Sequence, residues 1–422
     1  MNLWIFHHYA TLPNLNGHIR PYRFAEHIRE SGVNTTVFAA SYQHFSGENL
    51  ISDGSDCQEE AFNGIPFIFV KTPSSAAGGM ARVKNMAAFY RGLIKVSKSY
   101  AKEHGKPDVI LASSPQPLAM IAGIKIAKRY HIPCICEVRD LWPEAIFSAS
   151  RITENSLIGK ALTAGEHWIY RRADALIFTK EGDTDYLREH NWTTTQGGDI
   201  DLDKCFYINN GVELSSYYEE QENNTLSDAN LSDGKFHVTY AGAIRRINNV
   251  GNILDAARLL QNEQDIEFLI YGDGNEAEVL RQRVADENLT NVKMKGFVEK
   301  KYIPFILSRS SVNLLNYSQT EYNWTRGNSS NKLFEYMASG KPVISTVKMG
   351  YSIIEKYNCG FELSEHTPEA LAAAIKKVKD LSAEQYDALC RNAKTGAKEF
   401  DYQALSERLM SVIDQVIHRK EM

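Results

Sequence analysis

The run Gly327-Asn-Ser-Ser-Asn-Lys-Leu-Phe-Glu-Tyr-Met-Ala-Ser-Gly-Lys-Pro-Val-Ile344 sets the frame for the whole chain. Ser329, Ser330 and Asn331 are each good helix N-caps. Leu333, Phe334, Met337 and Ala338 recur at helical spacing and make one apolar face. Gly340 ends that helix, Pro342 prevents its continuation, and Val343-Ile344 reads as a buried parallel strand. A helix start presents unpaired backbone N–H groups, and Lys332 adds a full positive charge there, a combination suited to phosphate. Glu335 lies in the first two turns, on the side away from Phe334 and Met337. A carboxylate there accepts two hydrogen bonds from a vicinal diol such as a ribose. Diphosphate and ribose together mean a nucleotide. An ordinary capped helix before a core strand accounts for the same residues equally well.

Upstream of this run, strands and helices alternate. Phe236–Tyr240 is a strand, and the loop 241–249 after it holds Gly242, Arg245 and Arg246 before a helix over 250–260. Gly242 lets backbone approach a ligand, and two cations before a helix start suit a departing diphosphate. Arg245 reads equally as an exposed loop charge. Strand Ile266–Tyr271 ends in Gly272-Asp-Gly-Asn-Glu-Ala277, which satisfies G-x-G-x-x-A. A dinucleotide site wants an acid about twenty residues later; Asn291 to Lys295 supplies none, so NAD is disfavoured. Downstream lie a helix over 368–381 and two terminal helices, the last over about 402–418. Residues 219–234 are polar and acidic and read as a linker.

The first half shows the same alternation, which predicts a doubly wound parallel sheet. Leu3–Phe6 is a strand, the loop 7–20 follows with His7, His8, Gly17 and His18, and a helix runs over 21–31 to strand 33–40. The three histidines are candidate acceptor-side ligands, or simply exposed loop residues. Residues 46–63 read as a polar loop before strand 64–70. The helix 81–104 is basic: over 80–106, Arg82, Lys84, Arg91, Lys95, Lys98, Lys102 and Lys106 stand against Glu103 alone, a local charge of +6. The stretch 81–106 suits an anionic membrane surface or a solvated charged face. Strand 133–138 ends in Glu137-Val-Arg-Asp-Leu-Trp-Pro-Glu144, which places Arg139, Asp140 and Glu144 where an α/β enzyme keeps reactive groups. A structural Arg139–Asp140 contact is the alternative. Cys134 and Cys136 alternate in this strand and read as neighbouring buried thiols rather than a metal or redox pair.

With 422 residues, 43% of them hydrophobic and 23% charged, the chain is long enough for two globular α/β domains. Its net charge of −5 argues against nucleic acid as a partner. No apolar run approaches a membrane span, and the first residues lack the basic region and cleavage site of a signal peptide. Six cysteines in this length make no disulfide framework. The expected location is cytoplasmic.

Glu335 to Ile344 resembles the donor-binding motif of the family 4 retaining glycosyltransferases of the GT-B fold. The Arg139–Glu144 segment resembles the signature of members that build bacterial surface polysaccharides. The motifs occur in order from Gly17 to Ile344. The resemblance implies two Rossmann-like doubly wound domains facing a cleft: 1–213 for the acceptor, 235–398 for a nucleotide-sugar donor, and a C-terminal helix, 399–422, returning to the first domain. It implies donor contacts at Gly17, Gly242, Arg245, Arg246, Gly272, Phe297, Val298, Asn331, Lys332, Leu333 and Glu335, and acceptor-side roles for His18, Arg139, Asp140 and Glu144. Asp140, Arg246 and Lys332 are the candidate catalytic residues. Three positions depart from the pattern. The second motif acid, eight residues before Glu335, is Gly327, which leaves the donor sugar open. The usual His before Asp140 is Arg139. In the loop after Gly242 the family places a Lys or Gln where this chain has Asn248.

The expected reaction moves a sugar (an N-acetylated hexosamine or deoxyhexosamine) from a UDP-sugar to a polyprenyl-diphosphate-linked saccharide, with retention, at the inner face of the membrane. No cofactor or metal is expected, because no Asp-x-Asp pair ends a strand to bridge a diphosphate. A UDP-sugar epimerase of the same fold and a non-catalytic nucleotide-sugar-binding protein remain as alternatives.

Overall fold

The computed structural model describes every residue except Asn16, Ser150, Arg151, Glu321, Tyr322 and Met422, and only the backbone of Ser148, Ala149 and Glu421. Residue 422, the expected end of the returning helix, therefore lies outside the described residues. The chain divides into two compact units, Met1–Asn209 with Tyr402–Met422, and Asn210–Asp401.

The first unit is built on an eight-stranded sheet of β1 (Asn2–His7), β2 (Asn34–Ala40), β3 (Cys57–Phe62), β4 (Ile65–Val70), β5 (Val109–Ser113), β6 (Cys134–Val138), β7 (Ala175–Phe178) and β8 (Cys205–Tyr207), in the order β3-β4-β2-β1-β5-β6-β7-β8. All neighbours are parallel except β3 and β4. The central strands are buried on both faces, as helix-covered parallel strands must be. The order reverses between β1 and β5, so the loops after those strands flank the crevice where such sheets bind ligands.

β3 corrects the reading of 46–63 as loop. It pairs antiparallel with β4 through Asn63-Gly64, whose positive φ values of 48° and 75° suit a tight hairpin. As an edge strand it carries Gln58, Glu59 and Glu60 and shows no apolar run.

The helix Tyr402–Glu421 belongs to this unit. Leu405, Leu409, Val412, Ile413 and Val416 enter the same core as Phe24, Ile28 and Val37, and the Tyr402 ring meets Phe24 edge-on at 6.0 Å.

The second unit has six parallel strands: β9 (Phe236–Ala241), β10 (Ile266–Tyr271), β11 (Val292–Gly296), β12 (Val312–Leu315), β13 (Val343–Ser345) and β14 (Gly360–Glu362). Their order, β11-β10-β9-β12-β13-β14, is that of a dinucleotide-type doubly wound sheet. It reverses between β9 and β12. The unit begins at Asn210, earlier than the sequence implies. Residues read as linker contribute the helix Leu214–Asn223 and the 3-10 turn Ala229–Leu231. Leu214 and Tyr217 are the buried residues of that helix, too few to produce a clear apolar period.

Candidate active site

The site in the second unit grows from the two loops at the β9/β12 reversal and from the helix Asn331–Ala338. Ser330 precedes this helix in extended conformation and places no side-chain cap on it; its hydroxyl is engaged with Tyr317 Oη at 2.6 Å. The first turn contains no acid. The helix start thus keeps the N–H groups of Asn331 and Lys332 and its positive end for a ligand.

Lys332 rises from that first turn and turns inward over β9. Its Nζ donates to Tyr240 Oη at 3.1 Å and lies 4.9 Å from the ring centroids of both Tyr240 and Tyr317. With the Asn248 amide oriented to satisfy both its atoms, the amide oxygen accepts from Lys332 Nζ at 3.1 Å and the amide nitrogen donates to Ala243 O at 2.9 Å. The residue is half-buried, and Tyr240, Tyr317 and Asn248 enclose its ammonium. Burial lowers its pKa to about 8, against the opposing pull of Glu335. The cation thus stands beside the loop position where the resemblance expects Lys or Gln and the chain has Asn248.

The glycines explain how this fits. A Cβ on Gly242 would lie 2.5 Å from Lys332 Cε. A Cβ on Gly272 or Gly274 would run into the carbonyls of Gly242 and Ile244. Ile244 N–H donates to Asp273 O (2.9 Å), and Glu276 N–H to Ile244 O (3.2 Å). The Gly272–Ala277 turn therefore packs against the Gly242 loop, which gives its glycines a role without a dinucleotide. Arg245 and Arg246 are exposed at the 3-10 turn over 246–248. Asn316 Nδ2 pins that turn through Asn248 O and Asn249 O, at 2.6 and 2.8 Å.

Glu335, one turn along, is 22% exposed, with Lys300 Nζ 3.7 Å away. Phe297 holds its ring out, 75% exposed, just after β11, with Val298 half-buried beside it. Asn331 is exposed. Leu333 needs correction as a donor contact: its side chain is fully buried, and its N–H donates to Ser330 O at 3.1 Å. The apolar face that makes the helix stable claims this residue.

In the first unit, Arg139 follows β6. Its Nη1 faces His7 Nε2 at 3.1 Å and His18 Nδ1 at 3.4 Å, so the guanidinium donates to two neutral imidazoles. Arg139 thus serves this cluster, while Asp140 also acts on it electrostatically. Burial, then Arg139, lowers the pKa of both rings, that of His18 to about 3. The expectation of exposed loop histidines fails for His7 and His8, both buried. His7 closes β1, and His8 is held between Asn85 Oδ1 (2.6 Å) and Gln116 Nε2 (3.0 Å), with burial lowering its pKa to about 3. His8 is a core histidine. Gly17 leaves room for Thr11, whose Cγ2 would lie 2.5 Å from a Cβ. Asp140 is half-buried at the carboxyl end of β6, and Glu144 sits in the first turn of the helix Trp142–Ala149.

Sequence reasoning missed the pair beneath this cluster. Arg20 donates through Nε and Nη2 to Glu137 Oε1 at 3.0 and 2.8 Å, and Nη2 also reaches Ile208 O at 2.9 Å. Ser113 Oγ donates to Glu137 Oε2. Burial pushes the Glu137 pKa up, but Arg20, Arg139 and Ser113 together outweigh it and hold the carboxyl below its ordinary range. The one signal was an acid inside an otherwise apolar strand.

One group of possible metal ligands within the second unit is Asp233, His237 and Glu267. It lies at the starts of β9 and β10, away from the carboxyl ends, and its members bond to one another and to lysine: His237 Nε2 to Asp233 at 2.9 Å, Lys235 to Glu267 at 3.0 Å.

Comparison with known proteins agrees with this architecture. Residues 18–196 match a family model described as a glycosyl transferase 4-like domain, and residues 222–396 one described as glycosyl transferases group 1. The chain is 27% identical over 281 residues to TuaH of Bacillus subtilis, named for teichuronic acid biosynthesis, covering 65% of each chain. It spans just under two thirds of the length of this relative and of another curated relative, WbjE of Pseudomonas aeruginosa. Among solved structures it resembles sucrose-phosphate synthase of Thermosynechococcus elongatus (TM-score 0.69, 16% identity, 99% of both chains). It also resembles Anabaena HepE, solved with UDP (TM-score 0.66, 16% identity, 98% of this chain and 99% of that one). The two Rossmann-like units thus carry the GT-B fold, the first matching a glycosyl transferase 4-like domain and the second the glycosyl transferases group 1 model.

Proposed function

We propose that this protein is a glycosyltransferase that moves an N-acetylated hexosamine or deoxyhexosamine from a UDP-sugar to a polyprenyl-diphosphate-linked saccharide during bacterial surface polysaccharide synthesis, with retention of configuration. The observation that carries this reading is the enclosed Lys332 ammonium beside an uncapped helix start, with Glu335 one turn along. Diphosphate on the first two and ribose hydroxyls on Glu335 account for all three features. Phe297 and Val298 offer an exposed surface for the base. UDP in HepE, which has the same fold, supports the choice of nucleotide.

In the reaction the bond from the anomeric carbon to the diphosphate oxygen breaks, and its electron pair leaves with the diphosphate. Lys332, Arg246 and the helix N–H groups stabilise that charge as an oxocarbenium-like sugar forms. The acceptor hydroxyl attacks the same carbon and gives up its proton to a base, a role for which Asp140 of the first unit is the candidate. The donor set needs no metal. A role in polysaccharide synthesis is supported by the name of TuaH, and a lipid-linked acceptor by the helix Gly79–His104. The seven basic residues over 80–106 are all exposed, and Met80 and Val83 are exposed at its start. No helix among the described residues is long and apolar enough to cross a membrane, so attachment would be peripheral, on the cytoplasmic face.

The test is to incubate the protein with UDP-sugars, with and without vesicles carrying polyprenyl-diphosphate-linked saccharide. UDP release that requires the acceptor is expected. Conversion of the donor without acceptor would make the protein an epimerase, and binding without any turnover would make it a non-catalytic binder.

A further inference from the structure

The helix Leu214–Asn223 packs against the helices Ile303–Ser308 and Asn331–Ala338. This brings Tyr217 within electrostatic reach of Glu335. Tyr217 is 5% exposed, and its hydroxyl meets no hydrogen-bond partner among the described residues. Such an orphan is uncommon, because burial costs the hydroxyl its water bonds and returns nothing. Burial first, and the Glu335 carboxylate second, hold its pKa well above the ordinary phenol value. The hydroxyl therefore keeps its proton and remains a donor.

The other groups that act on it are Tyr218, Tyr336 and Glu220. Tyr336 is already committed, donating to Ala241 O at 3.0 Å. Glu335 itself meets Lys300, 74% exposed, only loosely at 3.7 Å. A carboxylate offers about four lone-pair directions, and a ribose diol uses two. One remains for an internal donor that fixes the rotation of the group.

We propose that Tyr217 is a positioning residue for the ribose-binding carboxylate. When a nucleotide ribose engages Glu335, the Tyr217 hydroxyl donates to the same carboxylate and holds both oxygens toward the diol. This rests on the reading of Glu335 as the ribose ligand.

The experiment is calorimetric titration of wild type, Tyr217→Phe and Glu335→Gln with UDP and with 2′-deoxy-UDP. Wild type is expected to prefer UDP, by about tenfold for a hydrogen bond to a charged group. Tyr217→Phe is expected to lose most of that preference while its melting temperature holds or rises, since the hydroxyl has no partner in the free protein. A purely structural Tyr217 would leave the UDP to 2′-deoxy-UDP ratio unchanged, and that result overturns the inference. If Glu335→Gln also keeps the full ratio, or wild type shows none, the ribose reading of Glu335 falls first.

Discussion

Lys332 occupies the space that Gly242 leaves by lacking a side chain: a Cβ on Gly242 would stand 2.5 Å from Lys332 Cε and 2.6 Å from Nζ. The glycine and the lysine come from sequence positions 90 apart and act as one device. The lysine stem cannot give way easily, because Tyr240 and Tyr317 flank its head. Gly242→Ala is therefore expected to displace the ammonium and weaken UDP binding about tenfold or more, the order expected for one charge-assisted hydrogen bond. Titration calorimetry beside thermal melts checks this. The binding loss should exceed anything a small drop in melting temperature explains.

The same ammonium makes donor binding depend on pH. Its pKa of about 8 means that the charged form prevails below that pH and declines above it. A diphosphate needs the charge, so affinity is full below pH 8 and falls as pH rises through 8, by up to about tenfold per unit. The effect on stability has the opposite sign. Between pH 8 and the unfolded lysine value, roughly 10.4, the unfolded chain binds more protons, so this group's contribution rises with pH. UDP titrations between pH 7 and 9 should show the loss of affinity, and Lys332→Arg should flatten it.

Glu137 is expected to govern acid stability in the first unit. Its carboxyl pKa is depressed on folding, so its contribution is present above the unfolded value and is lost as pH falls through the folded one. Both partners of the Arg20–Glu137 pair are about 3% exposed. Removing one partner of such a pair costs about 3–5 kcal/mol. Glu137→Gln should lower stability by that order in urea unfolding at pH 7, and the difference from wild type should shrink in acid.

The basic face of the helix Gly79–His104 predicts salt-dependent vesicle association. Arg91→Glu and Lys98→Glu reverse two exposed charges and avoid Lys95, which pairs with Asp56 at 2.6 Å. Each basic residue near an anionic surface contributes about 1 kcal/mol. The double variant should therefore lose most binding to phosphatidylglycerol vesicles in co-sedimentation at low salt, with its fold unchanged.

The alternation of strands and helices was legible, as was the helix Asn331–Ala338, because apolar spacing and Gly/Pro punctuation report local structure directly. The elements that escaped lack such a signal. β3 is a polar edge strand, betrayed only by Asn63-Gly64. The helix Leu214–Asn223 buries so little that it reads as linker, yet it carries Tyr217. The Arg20–Glu137 pair spans 117 residues of sequence, and a contact of that kind leaves no periodic trace. His7 and His8 read as loop residues, but β1 extends to His7, and His8 finds distant partners at Asn85 on the helix Gly79–His104 and at Gln116, the cap of another helix. At the candidate site, residue types were readable. What was not readable is that the Lys332 ammonium is enclosed while Arg245 and Arg246 stand exposed.

The central claim is that Lys332 and Glu335 hold the diphosphate and ribose of a nucleotide-sugar donor. Titration with UDP, without added metal, of wild type, Lys332→Ala and Glu335→Ala tests it most directly. Saturable binding that both substitutions weaken is expected. Binding indifferent to both, or binding of NAD in place of UDP, would contradict the claim.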